Sequence, residues 1–236
     1  VPPWLVLHAW MRRNAKSPDP SRQLLLESAP EKAKGDDTSL CDVLRKGQYW
    51  CLLTARALTD GAWWFFLFWV PGYFQEVRGF DLAMVGRWLW MPYFGADLGA
   101  LAGGWLAALL IQRGWSVNLG RKAILVPSAL LGAVGSLAHS VGSPYVAIAL
   151  LTAALFGHLA WATNIHTAIS EISPRQHLAV LYGITGAAGT LAGALTQPLI
   201  GYVVDHAGYA PAFVCVGVAY LLAIVMLLSA GRIEPR

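Results

Sequence analysis

Apolar segments of about 20 residues recur six times along this chain, at residues 49–71, 84–111, 123–141, 145–168, 178–204 and 210–229. A hydrocarbon layer about 30 Å thick takes about 20 residues of helix to cross. Inside it every backbone N–H and C=O needs a partner from the chain, so each run is predicted to be a helix rather than an open strand. A soluble domain is excluded by 56% hydrophobic against 13% charged residues and a mean hydropathy of +0.52. The fold class expected is all-α: a bundle of six transmembrane helices.

Between positions 11 and 47 the composition turns polar. Pro18, Pro20 and Pro30 interrupt it, and Arg12, Arg13, Lys16, Arg22, Lys32, Lys34, Arg45 and Lys46 lie in it. This is the composition of a long connector rather than of a packed domain. Basic residues near membrane ends mark the cytoplasmic side, so the connector is read as cytoplasmic. Alternation then puts Arg113, Arg121, Lys122, Arg175, Arg232 and Arg236 inside and only Arg78 outside, with both ends of the six-helix block inside. The net charge of +4 is thereby used for topology in a multi-pass protein of the cell (inner) membrane, and nucleic acid is not an expected partner. The opening VPPWLVLHAW is too short for a span and lacks the layout of a signal peptide. Residues 1–10 are therefore read as the end of a preceding transmembrane helix, 11–47 as a central loop, 48–229 as the six-helix unit and 230–236 as a cytoplasmic tail. The chain is then a fragment.

Two spans carry charges deep in apolar sequence. Arg56 and Asp60 lie in the first, and each would cost about 2.5–3.5 kcal/mol at mid-membrane unless paired or facing water. Their spacing of four puts them on one helix face, continued by Trp64 and Phe68. That face reads either as the lining of a polar path or as a structural ion pair between helices. Trp63, Phe65, Phe66 and Trp69 read as an interfacial aromatic belt. Asp97 sits midway along the second span, beyond Trp90 and Phe94. The fourth span holds His158, Trp161, Asn164 and His166, its histidines read as hydrogen-bonded core or cavity residues. Gly95, Gly99 and Gly103, and again Gly186, Gly189 and Gly193, form small-residue faces that admit a close helix. Cys41, Cys51 and Cys215 show neither disulfide nor metal spacing. No hydrolase, nucleotide-binding or metal-ligand motif is present, so neither an enzyme nor a cofactor is expected.

Six inside-to-inside helices after a long basic loop resemble the C-terminal half of a twelve-helix major facilitator superfamily transporter. More narrowly, RALTDGAWWFFLFWVPGYF, ADLGALAGGW, SEISPRQHLAVLYGITGAAGTLAG and GYVVDHAGYAPAF resemble the anion:cation symporter family and its hexuronate branch. Ala107 and Ala108 stand where that family has an acidic residue, and Gly72 where many hexuronate-like members have a basic one. The resemblance implies a secondary active symporter for an organic anion such as a hexuronate or other sugar acid, with H+ as coupling ion. Its partners are then a carboxylated small molecule, the lipid bilayer and an N-terminal six-helix half. It further implies Arg56, Trp64, Phe68, Trp161 and Asn164 as substrate-binding residues, with Asp60 or Asp97 carrying the proton. The six glycines are expected to face the N-terminal half. A sensor or assembly subunit with purely structural charges is the competing reading. Convergence of Arg56, Asp60, Trp64, Trp161 and Asn164 on one cavity discriminates the two.

Overall fold

Residues 39–233 are described by a computed structural model of the chain, and they are all helical apart from their connections. The expected helix end at 1–10, the connector up to residue 38 and the last three residues of the tail lie outside the described residues. Ser39 caps the first helix, α1 (Leu40–Leu44), in a capping box with Asp42, and those hydrogen bonds hold the Asp42 carboxyl below its ordinary pKa. Then follow α2 (Gly47–Phe68), α3 (Val70–Glu76), α4 (Leu82–Trp88), α5 (Trp90–Gln112) and α6 (Val117–Val134), which tightens into a 3₁₀ turn over Gly135–His139. The remaining long helices are α7 (Pro144–Ile172), α8 (Leu178–Ala207) and α9 (Tyr209–Ser229).

Prolines explain the two breaks near one end of the bundle. Pro71 has no N–H for the carbonyl of Leu67, and the helix is interrupted at Trp69, where α2 gives way to α3. Pro92 stands in the same relation to Trp88, and the chain breaks at Leu89 between α4 and α5. Arg78 fastens this end by donating to the Tyr73 hydroxyl at 2.7 Å and to the Ala138 carbonyl at 2.8 Å.

Five stretches among the described residues are long and apolar enough to cross a membrane: Leu82–Gln112, Val117–His139, Pro144–Ile172, Arg175–Ala207 and Tyr209–Ser229. The expectation of six needs correction at its first member. α2 has 22 residues, enough length for a bilayer, but it is not among the five. Arg56 and Asp60, with Gln48, Tyr49 and the three tryptophans, dilute its apolar character.

Pairing of the long helices follows a crossed pattern. α7 packs most extensively on α5 and α6, while α2 packs on α8 and α9, and α6 meets α9. Exchanging α2 with α7, α5 with α8 and α6 with α9 leaves this pattern unchanged, so the bundle is two interlocked three-helix sets. Lipid tails are as apolar as leucine, and close van der Waals contact has to hold such helices together. Glycines provide it. A Cβ on Gly99 would overlap the Phe156 backbone of α7, and Gly95 and Gly103 are equally closed by Thr152 and Ala160. On α8, Gly189 is covered by Asp60 and Gly193 by Trp64 of α2, whereas Gly186 has no atom within 4 Å of a Cβ position. The expectation that all six glycines face an absent half is thus overturned for five, because internal pairs of helices already fill both faces.

At the other end of the bundle the final residues are tied down. Lys122 Nζ donates to the Gly231 carbonyl at 2.6 Å, the Ile233 N–H donates to Asn118 Oδ1 at 3.0 Å, and Ile233 is buried.

Candidate functional site

Arg56 projects from α2 about two and a half turns from its start, and its Nε donates to Asp60 Oδ2 at 3.1 Å one turn further on. Both side chains are nearly enclosed, at 13% and 18% exposure. The bond uses one guanidinium nitrogen, and Nη1 and Nη2 make no hydrogen bond among the described residues. They face a cavity of about 300 Å³ between α2, α7 and α8. Asp60, Trp63 and Trp64 complete the α2 wall, His158, Leu159 and Ala162 come from α7, and Gly186, Gly189 and Thr190 from α8.

The aromatic walls are held in register. Trp64 stacks on Phe68 with ring centroids 5.5 Å apart and planes 12° apart, and Phe68 itself is 58% exposed at the end of α2. Trp63 stacks on His158 at 5.0 Å and 12°. His158 is fixed in turn through Nδ1, which lies 2.7 Å from the Tyr220 hydroxyl of α9. A cation, a carboxylate and flat apolar surfaces thus meet in one space. That combination can hold an anion through charge and a ring through its faces.

Of the residues singled out in the sequence, Arg56, Asp60 and Trp64 come together in this cavity, with Phe68 stacked at its edge. Trp161 and Asn164 do not reach it. Trp161 is fully buried, and its indole Nε1 donates to Thr59 Oγ1 at 3.0 Å, behind the turn that carries Arg56. Asn164 is also fully buried. Its Nδ2 donates to the Gly103 carbonyl of α5 at 2.9 Å, and its Oδ1 accepts from Arg121 Nη1 at 3.1 Å. Arg121 in turn grips Glu171 of α7, with Nη2 2.8 Å from Oε1. This polar tie joins α5, α6 and α7 and leaves no free edge on Asn164. Asp97 stands apart from both groups, exposed on α5.

Trp63 and Thr190 line the cavity without having been singled out. Trp63 reads in sequence as part of an aromatic belt, and only the helix rotation that turns it onto His158 separates it from its neighbours. His158 fits the expectation of a hydrogen-bonded cavity histidine. A larger cleft of about 450 Å³ lies between α2, α8 and α9, but its walls, such as Leu58, Leu199 and Val216, offer no charge. Among the described residues no cluster of His, Cys, Asp and Glu could hold a metal ion.

Comparison with known proteins adds an independent line. The family described as "Major Facilitator Superfamily" matches residues 110–236. The chain is 30% identical over 237 residues to a hexuronate transporter of Escherichia coli (strain K12), covering 98% of this chain and 55% of that protein. It is 31% identical over 160 residues to a galacturonate transporter of Dickeya chrysanthemi, covering 64% of this chain and 45% of that one. A chloroplastic sodium-dependent phosphate transport protein of Arabidopsis thaliana is 27% identical over 240 residues, covering 97% and 46%. The chain spans about half the length of these relatives.

Proposed function

Because the chain belongs to the Major Facilitator Superfamily, we propose that it forms the C-terminal six-helix half of a secondary active transporter that carries a sugar acid, a hexuronate foremost, together with protons. α2 is then the sixth span: its polar face is buried by α7 and α8 rather than offered to lipid, which offsets its low hydropathy. The connector before it and the ends of α5, α7 and α9 lie on the cytoplasmic side of the inner membrane, as the distribution of Lys and Arg requires.

One observation carries the reading. Arg56 presents two unengaged guanidinium nitrogens to an open-sided cavity of about 300 Å³, the small end of the range for ligand sites. A buried cation with open donors needs an anion, and a carboxylate matches its fork. Trp64, with Phe68 behind it, supplies a flat face for the sugar ring, and Thr190 and His158 supply polar contacts for hydroxyls. Trp161 and Asn164 act from behind: Trp161 sets the Arg56 turn through Thr59, and Asn164 holds α5 against α7.

Asp60 gives the site its proton. With no substrate it partners Arg56. When a carboxylate takes the guanidinium, the Asp60 charge loses its counter-ion, and a proton neutralises it. Substrate and proton then enter and leave together. The test is uptake of labelled glucuronate and galacturonate by the full-length protein in vesicles with an imposed pH gradient, with inorganic phosphate as a competing anion. Gradient-driven accumulation of a hexuronate supports the reading. Accumulation of phosphate alone, or of neither, overturns it.

A further inference from the structure

Among the described residues, two buried side-chain polar atoms have no hydrogen-bond partner: Nε2 of His166 and Nε2 of Gln197. Buried polar groups are nearly always bonded, so each such atom calls for a reason. Turning the Gln197 amide over does not supply a partner. Its Oε1 accepts from Trp69 Nε1 at 2.7 Å, an indole only donates, and the unpartnered atom is therefore the amide nitrogen. Gln48 and Gln75 show the ordinary case, each giving its Nε2 to a backbone carbonyl.

Both residues continue the stripes that line the cavity. His166 follows Leu159 of α7 by seven residues, and Gln197 follows Thr190 of α8 by seven. Seven residues of helix are two turns less about 20°, or about 10 Å along the axis. α7 and α8 run in opposite directions, since His166, near the end of α7, meets Tyr182, near the start of α8, with ring centroids 5.5 Å apart. The two groups therefore lie on opposite sides of the cavity in depth. His166 stands toward the end where α7 gives way to α8, which the distribution of Lys and Arg makes cytoplasmic. Gln197 stands toward the outer end, one turn past the Gly193 that Trp64 covers. Each has an aromatic ring beside it, Tyr182 for His166 and Trp69 for Gln197.

We propose that Gln197 and His166 are the outer and the cytoplasmic contacts of the sugar acid on its way to and from Arg56. The Gln197 amide donates to a carboxylate or hydroxyl oxygen of a substrate arriving from outside, while the Trp69 bond holds the amide in place. His166 Nε2 bonds the substrate as it leaves for the cytoplasm, with the Tyr182 ring at its side. Groups of this kind have to be unengaged within the protein, because a standing partner would need displacing at every passage. These contacts presuppose the reading of the chain as part of a sugar-acid carrier. Neither residue lines the cavity at Arg56, and each adds one hydrogen bond on its own side of it.

The test uses the full-length protein in vesicles of known orientation. Gln197→Met and His166→Phe keep the bulk of each side chain and remove the nitrogen. In exchange of labelled for unlabelled glucuronate, Gln197→Met should raise the half-saturation concentration about five- to tenfold, the scale of one hydrogen bond, when substrate is varied on the outer face, and little when it is varied on the cytoplasmic face. His166→Phe should do the reverse, and His166→Gln, which keeps a donor, should stay near wild type. Half-saturation unchanged on both faces, or raised equally on both, overturns the proposal. So does a loss of heat resistance in detergent with half-saturation unchanged, which marks groups held by fixed water. An equal rise in His166→Gln and His166→Phe removes His166 from the path. A readout without substrate separates this proposal from the transport reading. With all native cysteines replaced, Cys41→Ala, Cys51→Ala and Cys215→Ala among them, Gln197→Cys should react with an impermeant anionic methanethiosulfonate from outside only, and His166→Cys from the cytoplasmic side only. That pattern in a protein that carries no sugar acid would uphold both residues as contacts of an anion path while the sugar-acid reading fell. Reaction at neither cysteine overturns the contacts, whatever is transported.

Discussion

The carboxylate of Asp60 rests on Gly189 so closely that a Cβ at that position would overlap Oδ2. The glycine of α8 is thus a seat for the anionic half of the Arg56–Asp60 pair. Gly189→Ala should push Asp60 off Arg56 and weaken sugar-acid uptake by roughly 10- to 100-fold, the scale that a displacement of about 1 Å imposes on a bound geometry. Gly183→Ala, on the same helix but outside the cavity and with no atom within 4 Å of its Cβ position, is the control and should transport normally. Equal effects of the two changes on concentration-dependent uptake would refute the seat.

Asp60→Asn keeps the shape of the side chain and removes its charge. Gradient-driven accumulation should be lost while exchange of labelled for unlabelled substrate continues, since exchange needs no net proton movement. Both are measured in vesicles with and without a pH gradient. Normal accumulation by Asp60→Asn would place the coupling carboxylate elsewhere in the transporter.

How far these features could be read from the sequence depended on whether they live along one helix or between two. The membrane helices were legible because length and apolarity are properties of a single segment. The Arg56, Asp60, Trp64 and Phe68 stripe was legible for the same reason, as a spacing of four within one helix. The glycine faces were legible as close-packing surfaces but not as to their partner: nothing in GADLGALAGG says that α7 lies upon it. Asn164 and Trp161 look in sequence like polar and aromatic lining, and a rotation of α7 decides that they point into helix contacts. The Glu171 to Arg121 pair spans 50 residues, and no local pattern announces it. The polarity that marked α2 as functional is also what kept it below the hydropathy of its five neighbours.

Arg121 and Glu171 are 12% and 17% exposed, so removing one leaves the other charge nearly buried. Arg121→Gln should destabilise the protein by about 3–5 kcal/mol. The double change Arg121→Gln with Glu171→Gln should cost less than the single one, because no charge is stranded. Thermal unfolding in detergent reads both. A double variant less stable than the sum of the two singles would show that the tie acts otherwise than as a charge pair.

Trp161→Phe keeps an aromatic ring, though a smaller one than the indole, and loses the indole donor to Thr59. A single buried hydrogen bond contributes about 1 kcal/mol, and the lost bond supports the turn that carries Arg56. A small loss of thermal stability should therefore accompany a rise in the substrate concentration needed for half-maximal uptake, with the maximal rate little changed. An unchanged half-saturation concentration would separate Trp161 from the site.

Under the proposed function, anion selection turns on Arg56. Among the described residues it is the one cation lining the cavity, its side chain is 13% exposed, and Nε alone is committed to Asp60. A lysine can reach the same space but offers a point charge in place of a planar fork, so Arg56→Lys should weaken binding while preserving selectivity for acids over neutral sugars. Arg56→Gln removes the charge and leaves Asp60 without its counter-ion. Binding of the acid should then nearly vanish, and the neutral sugar of the same ring size should compete as well as the acid does. Equilibrium binding of labelled glucuronate to the purified full-length protein, with glucose as competitor, distinguishes these outcomes. Wild-type affinity in Arg56→Gln would leave Arg56 a structural partner of Asp60 and move anion recognition to other residues of the transporter.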